Sequence, residues 1–504
     1  CIPVAESDNP QKIFESINST GAKLVASDLI RNYLLMNLDS DTQEQYYNTY
    51  WKKLEEYISP NSKKLEAFFR MFLACKNKVL SNITVVYSDF KQWYANEIAN
   101  GNSVEDILKN LVRYAKCYNA IYNRPVEKLE KEIQGVVQDF RKNLSEMPAP
   151  FLMEMYSLYD SFDEEGNRLI SVTQLSDILT IINIYLLRRA ICGLDTSDIT
   201  RLFPLVLKDV MNDCKGNYAQ IVEYLKKNLI NKQRGKSARM PDDETIRNVL
   251  EYENVYNLRV TLRAIFDKIE THNNPAPVEH LMPQSPTKEW LDTLNIDDET
   301  YERNLHRLGN LTLATKPDNS KMKNKPWEYK KAILSDTAHL TINQKILEKD
   351  RWTIAEIDAR TKELIEQIIE IYPYCSASDD VISKHVISIN CDGVFALAYL
   401  YEEDGSVEVQ EGSEIVKYDP TKVEDWPYDL YNNLLAEGII KETDKGAVFA
   451  KTYMFLSQWK SYTALSSAAG FILCGSRNGW EYWKDENGNA LNENAELKQK
   501  LTGK

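Results

Sequence analysis

Apolar residues recur at helical spacing along most of the first 230 residues. Ser27-Asp28 reads as a helix cap, and the residues after it place Leu29, Ile30, Leu34 and Leu35 on one face. Turn-forming residues interrupt this pattern at 59–61, 100–103, 147–150 and 163–166. Because helical periodicity returns after every break, the pattern predicts an irregular helical domain.

The pattern changes further along the chain. A basic loop at 231–239 is followed by renewed helical spacing from 242 to about 270, and another helix is predicted from about 353 to 371. After residue 374, short β-rich runs, one helix and a hairpin alternate, which indicates a small α+β domain. We therefore predict a mainly α chain with domains at residues 1–235, 236–374 and 375–504.

Composition narrows the functional classes. The chain has 61 basic and 75 acidic residues, a net charge of −14, so a nucleic-acid site would have to be a local basic patch. Eight cysteines without a CxxC pair argue against a zinc knuckle or a disulfide framework and suit a reducing compartment. The most apolar run, 178–187, is half the length of about 20 residues that a membrane span needs, so we expect a cytoplasmic protein without a membrane partner.

The candidate chemistry is concentrated between residues 278 and 330, where two of the five histidines lie. Its three parts are Val278-Glu-His280-Leu-Met-Pro-Gln284, His306-Arg-Leu-Gly-Asn310-Leu-Thr-Leu313 and Lys316-Pro-Asp-Asn319-Ser-Lys-Met-Lys-Asn324-Lys325. A carboxylate beside a histidine, an asparagine turning into a β run and a second asparagine opening a basic helix resemble the HNH, or ββα-metal, pattern. We therefore expect a ββα-metal nuclease domain here.

Each residue type suits a step of phosphodiester hydrolysis. His280 is the candidate general base, since neutral imidazole is available near pH 7. Glu279 and Asn319 offer oxygen ligands for Mg²⁺ or Mn²⁺, and one such ion stabilises the transition state. Asn310 is expected to hold the His280 loop. Glu279 stands where many HNH domains have Asp, and Asn319 stands where many have His, but both keep an oxygen ligand.

The lysines after Asn319 predict a basic face for a phosphodiester, which Lys316, Lys330 and Lys331 extend. The candidate phosphate or DNA contacts are His306, Arg307, Lys321, Lys323, Asn324 and Lys325. Three of them have a second interpretation. His306 either contacts phosphate or has a structural hydrogen bond, Arg307 is either a phosphate clamp or part of a surface ion pair, and Asn324 rivals Asn319 for the metal.

The same strip resembles the nuclease domain of GmrSD-like, modification-dependent (type IV) restriction endonucleases. The resemblance extends to residues 14–32, which look like the end of the family's ParB-like domain, and to 185–189, which look like the core helix of its linker. It implies a bacterial enzyme. The family's Asp-Gly-Gln-Gln-Arg-type motif for nucleotide hydrolysis is not in this sequence, and the chain begins at Cys1. We therefore expect a fragment that would depend on nucleotide only together with its missing N-terminal domain.

The tail carries its own signature, with small residues at 466–469, an Asn-Gly turn at 478–479 and Trp483-Lys484. It resembles a small accessory domain at the C-terminus of restriction-associated proteins. Arg477, Trp483 and Lys484 are candidate contacts to nucleic acid. The alternative interpretation is that Trp480 and Trp483 are core aromatics.

The sequence thus predicts a metal-dependent DNA endonuclease that restricts modified phage DNA. Two alternatives remain open: a non-specific DNA or RNA nuclease acting as a toxin, and an inactive DNA-binding or scaffold subunit. Expected partners are modified DNA and either the missing N-terminal domain or a second protomer.

Overall fold

The computed structural model describes residues 25–36, 38–142, 145–270, 276–336, 340–418, 425–457 and 463–502. Of the predicted ParB-like remnant at 14–32, residues 14–24 lie outside these residues. The chain divides into two compact units, one from residues 1–219 and 241–374 and the other from 220–240 and 375–504. The prediction of a mainly helical chain with a small C-terminal sheet domain is confirmed. The predicted boundaries near 235 and 374 stay predictions.

The described residues up to 270 are helical. In chain order the helices are α1 Ala26–Leu35, α2 Ser40–Tyr46, α3 Lys52–Tyr57, α4 Ser62–Asn77, α5 Val86–Ala99, α6 Val104–Tyr122, α7 Lys131–Arg141, α8 Ala149–Tyr159, α9 Val172–Ile191, α10 Leu202–Cys214, α11 Ile221–Leu229, α12 Asp243–Tyr252 and α13 Arg259–Ile269. Helix α11 belongs to the second unit and the others belong to the first. The breaks between α3 and α4, α5 and α6, α7 and α8, and α8 and α9 fall where the sequence predicts them.

Side-chain caps explain several helix starts, but the predicted cap of α1 was wrong. Ser103 and Ser171 open α6 and α9 with capping boxes. Helix α1 instead begins at Ala26, so Ser27 lies inside its first turn, and no side chain caps it. The Ser27 hydroxyl donates to the Ser62 carbonyl at 2.8 Å, so this polar side chain joins α1 to α4 instead of starting a helix.

Helix α9 is the buried centre of the helical part. Its last turn contains Arg188, which is 1% exposed and donates hydrogen bonds to the carbonyls of Pro241 and Tyr372 and to Asp243. These contacts satisfy a charge that would be costly to bury alone. Along the described segments, α9 included, there is no helix whose length and apolar content would let it cross a bilayer.

Two short strands and a set of helices complete the first unit. They are β1 Val278–His280, α14 Lys288–Leu294, α15 Asp298–Leu305, β2 Leu311–Leu313, α16 Lys316–Met322, α17 Trp327–Asp336, α18 Gln344–Leu347 and α19 Ile354–Ile371. Strands β1 and β2 pair antiparallel, with Val278 opposite Leu313 and His280 opposite Leu311. The buried aromatic side chains of Trp290, Trp327 and Trp352 form much of the core beside them. Helices α14 and α15 lie between the two strands, and the antiparallel pair β1–β2 is called the hairpin below. This hairpin and helix α16, which follows it, position the candidate site.

The second unit is a small α+β domain. Its elements after α11 are β3 Lys384–Cys391, β4 Val394–Tyr401, β5 Val407–Val409, β6 Glu414–Val416, α20 Asp425–Ala436, β7 Ile440–Thr443, β8 Gly446–Phe449, β9 Tyr453–Phe455, α21 Leu465–Ile472, α22 Gly479–Tyr482 and α23 Ala495–Thr502. The antiparallel sheets have the orders β3-β4-β5-β9 and β6-β8-β7, and the predicted β7–β8 hairpin is present. Trp483 is fully buried and donates to the Leu465 carbonyl at 3.0 Å, so it is a core aromatic.

Candidate functional site

Asn310 ties the end of β1 to the start of β2. It is fully buried, and its Oδ1 accepts from the backbone N–H of Met282 at 2.7 Å and from Nε1 of Trp352 at 3.2 Å. Its Nδ2 donates to the carbonyls of Met282 at 3.1 Å and Leu305 at 2.8 Å. The side chain therefore uses both donors and accepts two hydrogen bonds. It holds the loop that immediately follows His280, which is where the sequence places its role.

The residue before Asn310 must be glycine because helix α19 lies against it. A Cβ on Gly309 would come within 2.1 Å of the Ile357 carbonyl oxygen and 2.6 Å of Thr361 Oγ1. On the same helix, the buried Arg360 donates to the carbonyls of Gly309 and Leu311, both at 2.6 Å. Helix α19 thus braces the turn into β2, and through Asn310 it braces the His280 loop.

His280 is paired with a second histidine. Its Nε2 lies 3.0 Å from Nδ1 of His306, and the two rings meet edge to face with centroids 5.0 Å apart. The ring of Tyr256 packs beside both, with its centroid 4.4 Å from that of His280 and 5.4 Å from that of His306. Of the two interpretations of His306, the structure shows a hydrogen bond, and its partner is the candidate base itself.

Burial keeps both imidazoles neutral. Desolvation, with smaller contributions from His306 and the Lys330 ammonium, lowers the pKa of His280 to about 4. Desolvation also lowers the pKa of His306, against the opposing charge of Glu302. Since a general base must be unprotonated, these environments favour the form of His280 that can accept a proton at neutral pH.

Lys330 was wrongly predicted to lie on the basic face. Its side chain is 1% exposed, and its Nζ donates to the carbonyls of Leu281 at 2.7 Å and His280 at 3.3 Å. Burial lowers the pKa of Lys330 to about 8, although the nearby Glu279 carboxylate opposes this effect. Burial likewise raises the pKa of Glu279, and Lys330 opposes that shift. Lys330 is therefore an interior cation that holds the end of β1.

The remaining lysines of the strip are accessible. Helix α16 begins after Thr315, which caps it by accepting from the backbone N–H of Asp318, and Asn319 lies one turn inside. Within the described part of the chain, the Asn319 side chain has no hydrogen-bond partner, and it is half-buried. The exposed residues that follow are Lys321, Lys323, Asn324 and Lys325. Their hydrogen-bond donors and the positive charges of the three lysines face solvent beside the hairpin.

Arg307 occupies the second of its two predicted settings, an ion pair. Its Nη1 contacts the Asp358 carboxylate and also donates to Asn304 Oδ1 at 2.9 Å. Its Nε is buried and has no hydrogen-bond partner within the described residues. The Arg307 guanidinium thus contacts Asn304 and Asp358 and holds the turn before β2.

The donor set bears on which metal would suit the site. No cluster of three or more His, Cys, Asp or Glu side chains able to hold a metal occurs among the residues with described positions. Glu279 and Asn319 are hard oxygen donors, and Mg²⁺ usually keeps several waters and uses only one or two carboxylates together with substrate phosphates. A sparse oxygen set therefore fits Mg²⁺ or Mn²⁺ better than a structural zinc.

Sequence reasoning missed the residues that surround His280 from outside the strip. Tyr256 lies in a helical segment with no motif around it, and a lysine such as Lys330 is ordinarily a surface residue. For the hydrogen bond between His306 and His280, the sequence contains only a weak indication, which is the presence of a second histidine in the same strip. Only the hairpin that brings β1 to β2 makes these contacts visible.

Comparison with known families agrees with this geometry. The family model described as "GmrSD restriction endonucleases, C-terminal domain" matches residues 224–367. A second model, "Domain of unknown function (DUF4357)", matches residues 387–495 and corresponds to the predicted accessory domain. No curated protein matches the chain. The resemblance predicted from the sequence is confirmed: residues 224–367, which include the whole His280 site, are a GmrSD-like restriction endonuclease C-terminal region, and a DUF4357 domain follows them.

Proposed function

We propose that this chain is an HNH-type, metal-dependent DNA endonuclease that restricts modified phage DNA in the bacterial cytoplasm. The observation that carries the proposal is the Asn310 side chain clasping the loop after His280, within two antiparallel strands followed by a helix. This is the arrangement expected of a ββα-metal site. The family match over residues 224–367 supports a nuclease acting on DNA.

His280 is proposed as the general base. A water molecule gives its proton to the imidazole while its oxygen forms a bond to phosphorus, and the bond from phosphorus to the leaving oxygen breaks. The leaving oxygen then takes a proton from solvent. The buried, neutral imidazole suits this role because it is unprotonated before the reaction.

Glu279 and Asn319 are proposed to hold Mg²⁺ or Mn²⁺. When bound, the ion would supply charge stabilisation for the transition state and the leaving oxygen. Glu279 is half-buried, and burial disfavours its charged form, so a cation at this position would relieve a cost that Lys330 only partly offsets. Asn319 contributes a neutral oxygen that the described residues leave unused, with Asn324 as the alternative ligand.

The exposed Lys321, Lys323 and Lys325 are proposed to contact the phosphate backbone. In a chain with a net charge of −14, a local run of positive charge next to the hairpin provides the electrostatic attraction that a duplex needs. Lysines give no base discrimination by themselves, so selection of a modified base would have to come from other residues.

The proposal is tested by plasmid cleavage with the wild type and His280→Ala, in Mg²⁺, Mn²⁺ or EDTA. His385→Ala serves as the matched control, because it removes a histidine whose partner is Glu402 in the second unit. We expect metal-dependent cutting that is lost only in His280→Ala. Equal cutting by all three proteins, or cutting in EDTA, would contradict the proposed roles.

The substrate is tested in the same assay. Unmodified DNA, glucosyl-hydroxymethylcytosine DNA and an RNA of equal length are compared at one enzyme concentration. Preferential cutting of the glucosylated DNA is expected for modification-dependent restriction. Equal cutting of all three would favour the non-specific nuclease, and salt-sensitive DNA binding without cutting would favour the binding subunit.

A further inference from the structure

The contact between His280 and His306 determines which nitrogen of the base is free. Nε2 of His280 and Nδ1 of His306 are 3.0 Å apart, a hydrogen-bond distance that requires one proton between them. We infer that His306 is a positioning residue that accepts this proton from Nε2 of His280 and so leaves Nδ1 of His280 to act as the base. The inference rests on the proposed nuclease function and adds to it the residue that fixes the tautomer of the base.

Two neutral histidines can share the proton in two ways. If His306 donates, its Nδ1 carries the hydrogen, and neutral His280 must then carry its own hydrogen on Nδ1. In that tautomer His280 has no lone pair directed away from His306, and it cannot take a proton from water. If His280 donates through Nε2, its Nδ1 lone pair is open. Only the second arrangement is compatible with a base.

The surroundings disfavour a third arrangement, in which a protonated His306 donates to Nε2 of His280. His306 lies between the Tyr256 ring, which stacks on it at an interplanar angle of 16°, and the edge of His280. The Lys330 ammonium lies near His280, where it donates to the carbonyls of His280 and Leu281. A protonated His306 would place a second positive charge against the same buried ring. Glu302 is the group that opposes this effect.

His306 also supports His280 after proton capture. The resulting imidazolium still carries hydrogen on Nε2, and His306 Nδ1 remains available to accept it. This resembles in principle the acceptor that orients histidine in a serine-protease triad, which fixes the tautomer and stabilises the imidazolium. The proton captured from water stays on Nδ1 of His280 until it is released to solvent, so no further reactant is needed.

Two substitutions separate the acceptor from the ring. His306→Phe keeps a flat ring against Tyr256 but has no acceptor, whereas His306→Asn loses the ring and restores an oxygen near the position of Nδ1. We expect kcat for plasmid cleavage to fall about 100-fold in His306→Phe, with KM and the melting temperature nearly unchanged. His306→Asn should recover at least a tenth of the wild-type kcat. Equal losses in both variants would overturn the inference, because restoring the acceptor in His306→Asn would then rescue nothing. A His306→Phe variant that cuts at the wild-type rate would overturn it as well, because the ring without an acceptor would then suffice.

The tautomer itself is measured by two-bond ¹H–¹⁵N spectroscopy of the full chain labelled with ¹⁵N-histidine. The His280 signals are assigned by their absence from His280→Ala. We expect hydrogen on Nε2 and a bare Nδ1 in the wild type and in His306→Asn, and a mixture of tautomers in His306→Phe. Hydrogen on Nδ1 of His280 in the wild type would overturn the inference whether or not the protein cuts DNA. A correct tautomer in a protein that cuts nothing would instead contradict the proposed nuclease.

Discussion

Replacing Asn310 with alanine should loosen the loop that carries His280 while leaving the rest of the unit folded. The side chain accepts from Met282 N–H and Trp352 Nε1, and both donors are buried. Leaving a buried polar group unsatisfied costs about 1–3 kcal/mol, so two unsatisfied donors predict about 3 kcal/mol after partial rescue by water. The effect should stay local, because α19 contacts the turn independently through Arg360.

Hydrogen exchange measures that destabilisation directly. A cost of about 3 kcal/mol for opening the loop corresponds to roughly 100-fold faster exchange of the Met282 amide, since each 1.4 kcal/mol is tenfold. The amide is followed in peptides spanning 279–285 after brief exposure to deuterated buffer. The cleavage rate of the same variant at a temperature where it remains folded should fall at least tenfold, because His280 precedes the released loop.

Asn343→Ala is the matched control for this prediction. Asn343 is also a buried asparagine next to the hairpin, but its Nδ2 donates to the Leu313 carbonyl, on the side of β2 away from the His280 loop. We expect Asn343→Ala to lower stability while leaving Met282 exchange within about threefold of the wild type, well under 1 kcal/mol. Unchanged Met282 exchange in Asn310→Ala, or equal acceleration in both variants, would refute the reasoning.

Three further predictions concern the metal, pH and salt. Glu279→Gln should weaken Mn²⁺ binding at least tenfold in a calorimetric titration, because it removes the charged ligand; unchanged affinity would assign the metal elsewhere. In EDTA, the free energy of unfolding should fall as pH drops from about 6.5 towards 4, because His280 binds a proton at a higher pH in the unfolded chain than in the folded one. Lowering the pKa of His280 to about 4 corresponds to roughly 3 kcal/mol. His280→Gln should flatten this part of the melting-temperature profile. Replacing Lys321, Lys323 and Lys325 together with alanine should weaken the salt dependence of DNA binding. The slope of the logarithm of the binding constant against the logarithm of the salt concentration should become shallower by about 0.9 for each phosphate that these lysines neutralise. An unchanged slope would exclude them from the DNA interface.

The elements that the sequence predicted well are those encoded locally. Breaks between helices follow turn-forming residues, and the strands after residue 380 follow alternating or β-branched runs. The contact of Asn310 with the His280 loop was expected from the HNH pattern, in which an asparagine turns into a β run; its burial and its four hydrogen bonds are visible only in the structure. The resemblance to GmrSD-like restriction endonucleases was also predicted from the sequence, and the family match over residues 224–367 confirms it for that region.

The contacts that complete the site depend on residues distant in sequence and could not be predicted. Tyr256 reaches His280 only because the segment between α12 and α13 packs beside β1. Lys330 became an interior residue because its ammonium reaches two carbonyls at the end of β1, and composition alone places lysine on the surface. The Arg307–Asp358 ion pair joins residues 51 positions apart, so an arginine in a basic strip could equally have faced phosphate.

The central claim, that His280 takes a proton from water during DNA hydrolysis, is tested most directly by chemical rescue. Single-turnover cleavage of a labelled duplex in Mg²⁺ is measured for the wild type and His280→Ala, with increasing concentrations of free imidazole. We predict that His280→Ala is slower by at least about 100-fold and that imidazole restores part of its rate without accelerating the wild type. A His280→Ala variant that binds the duplex normally and cuts it at the wild-type rate without imidazole would contradict the claim.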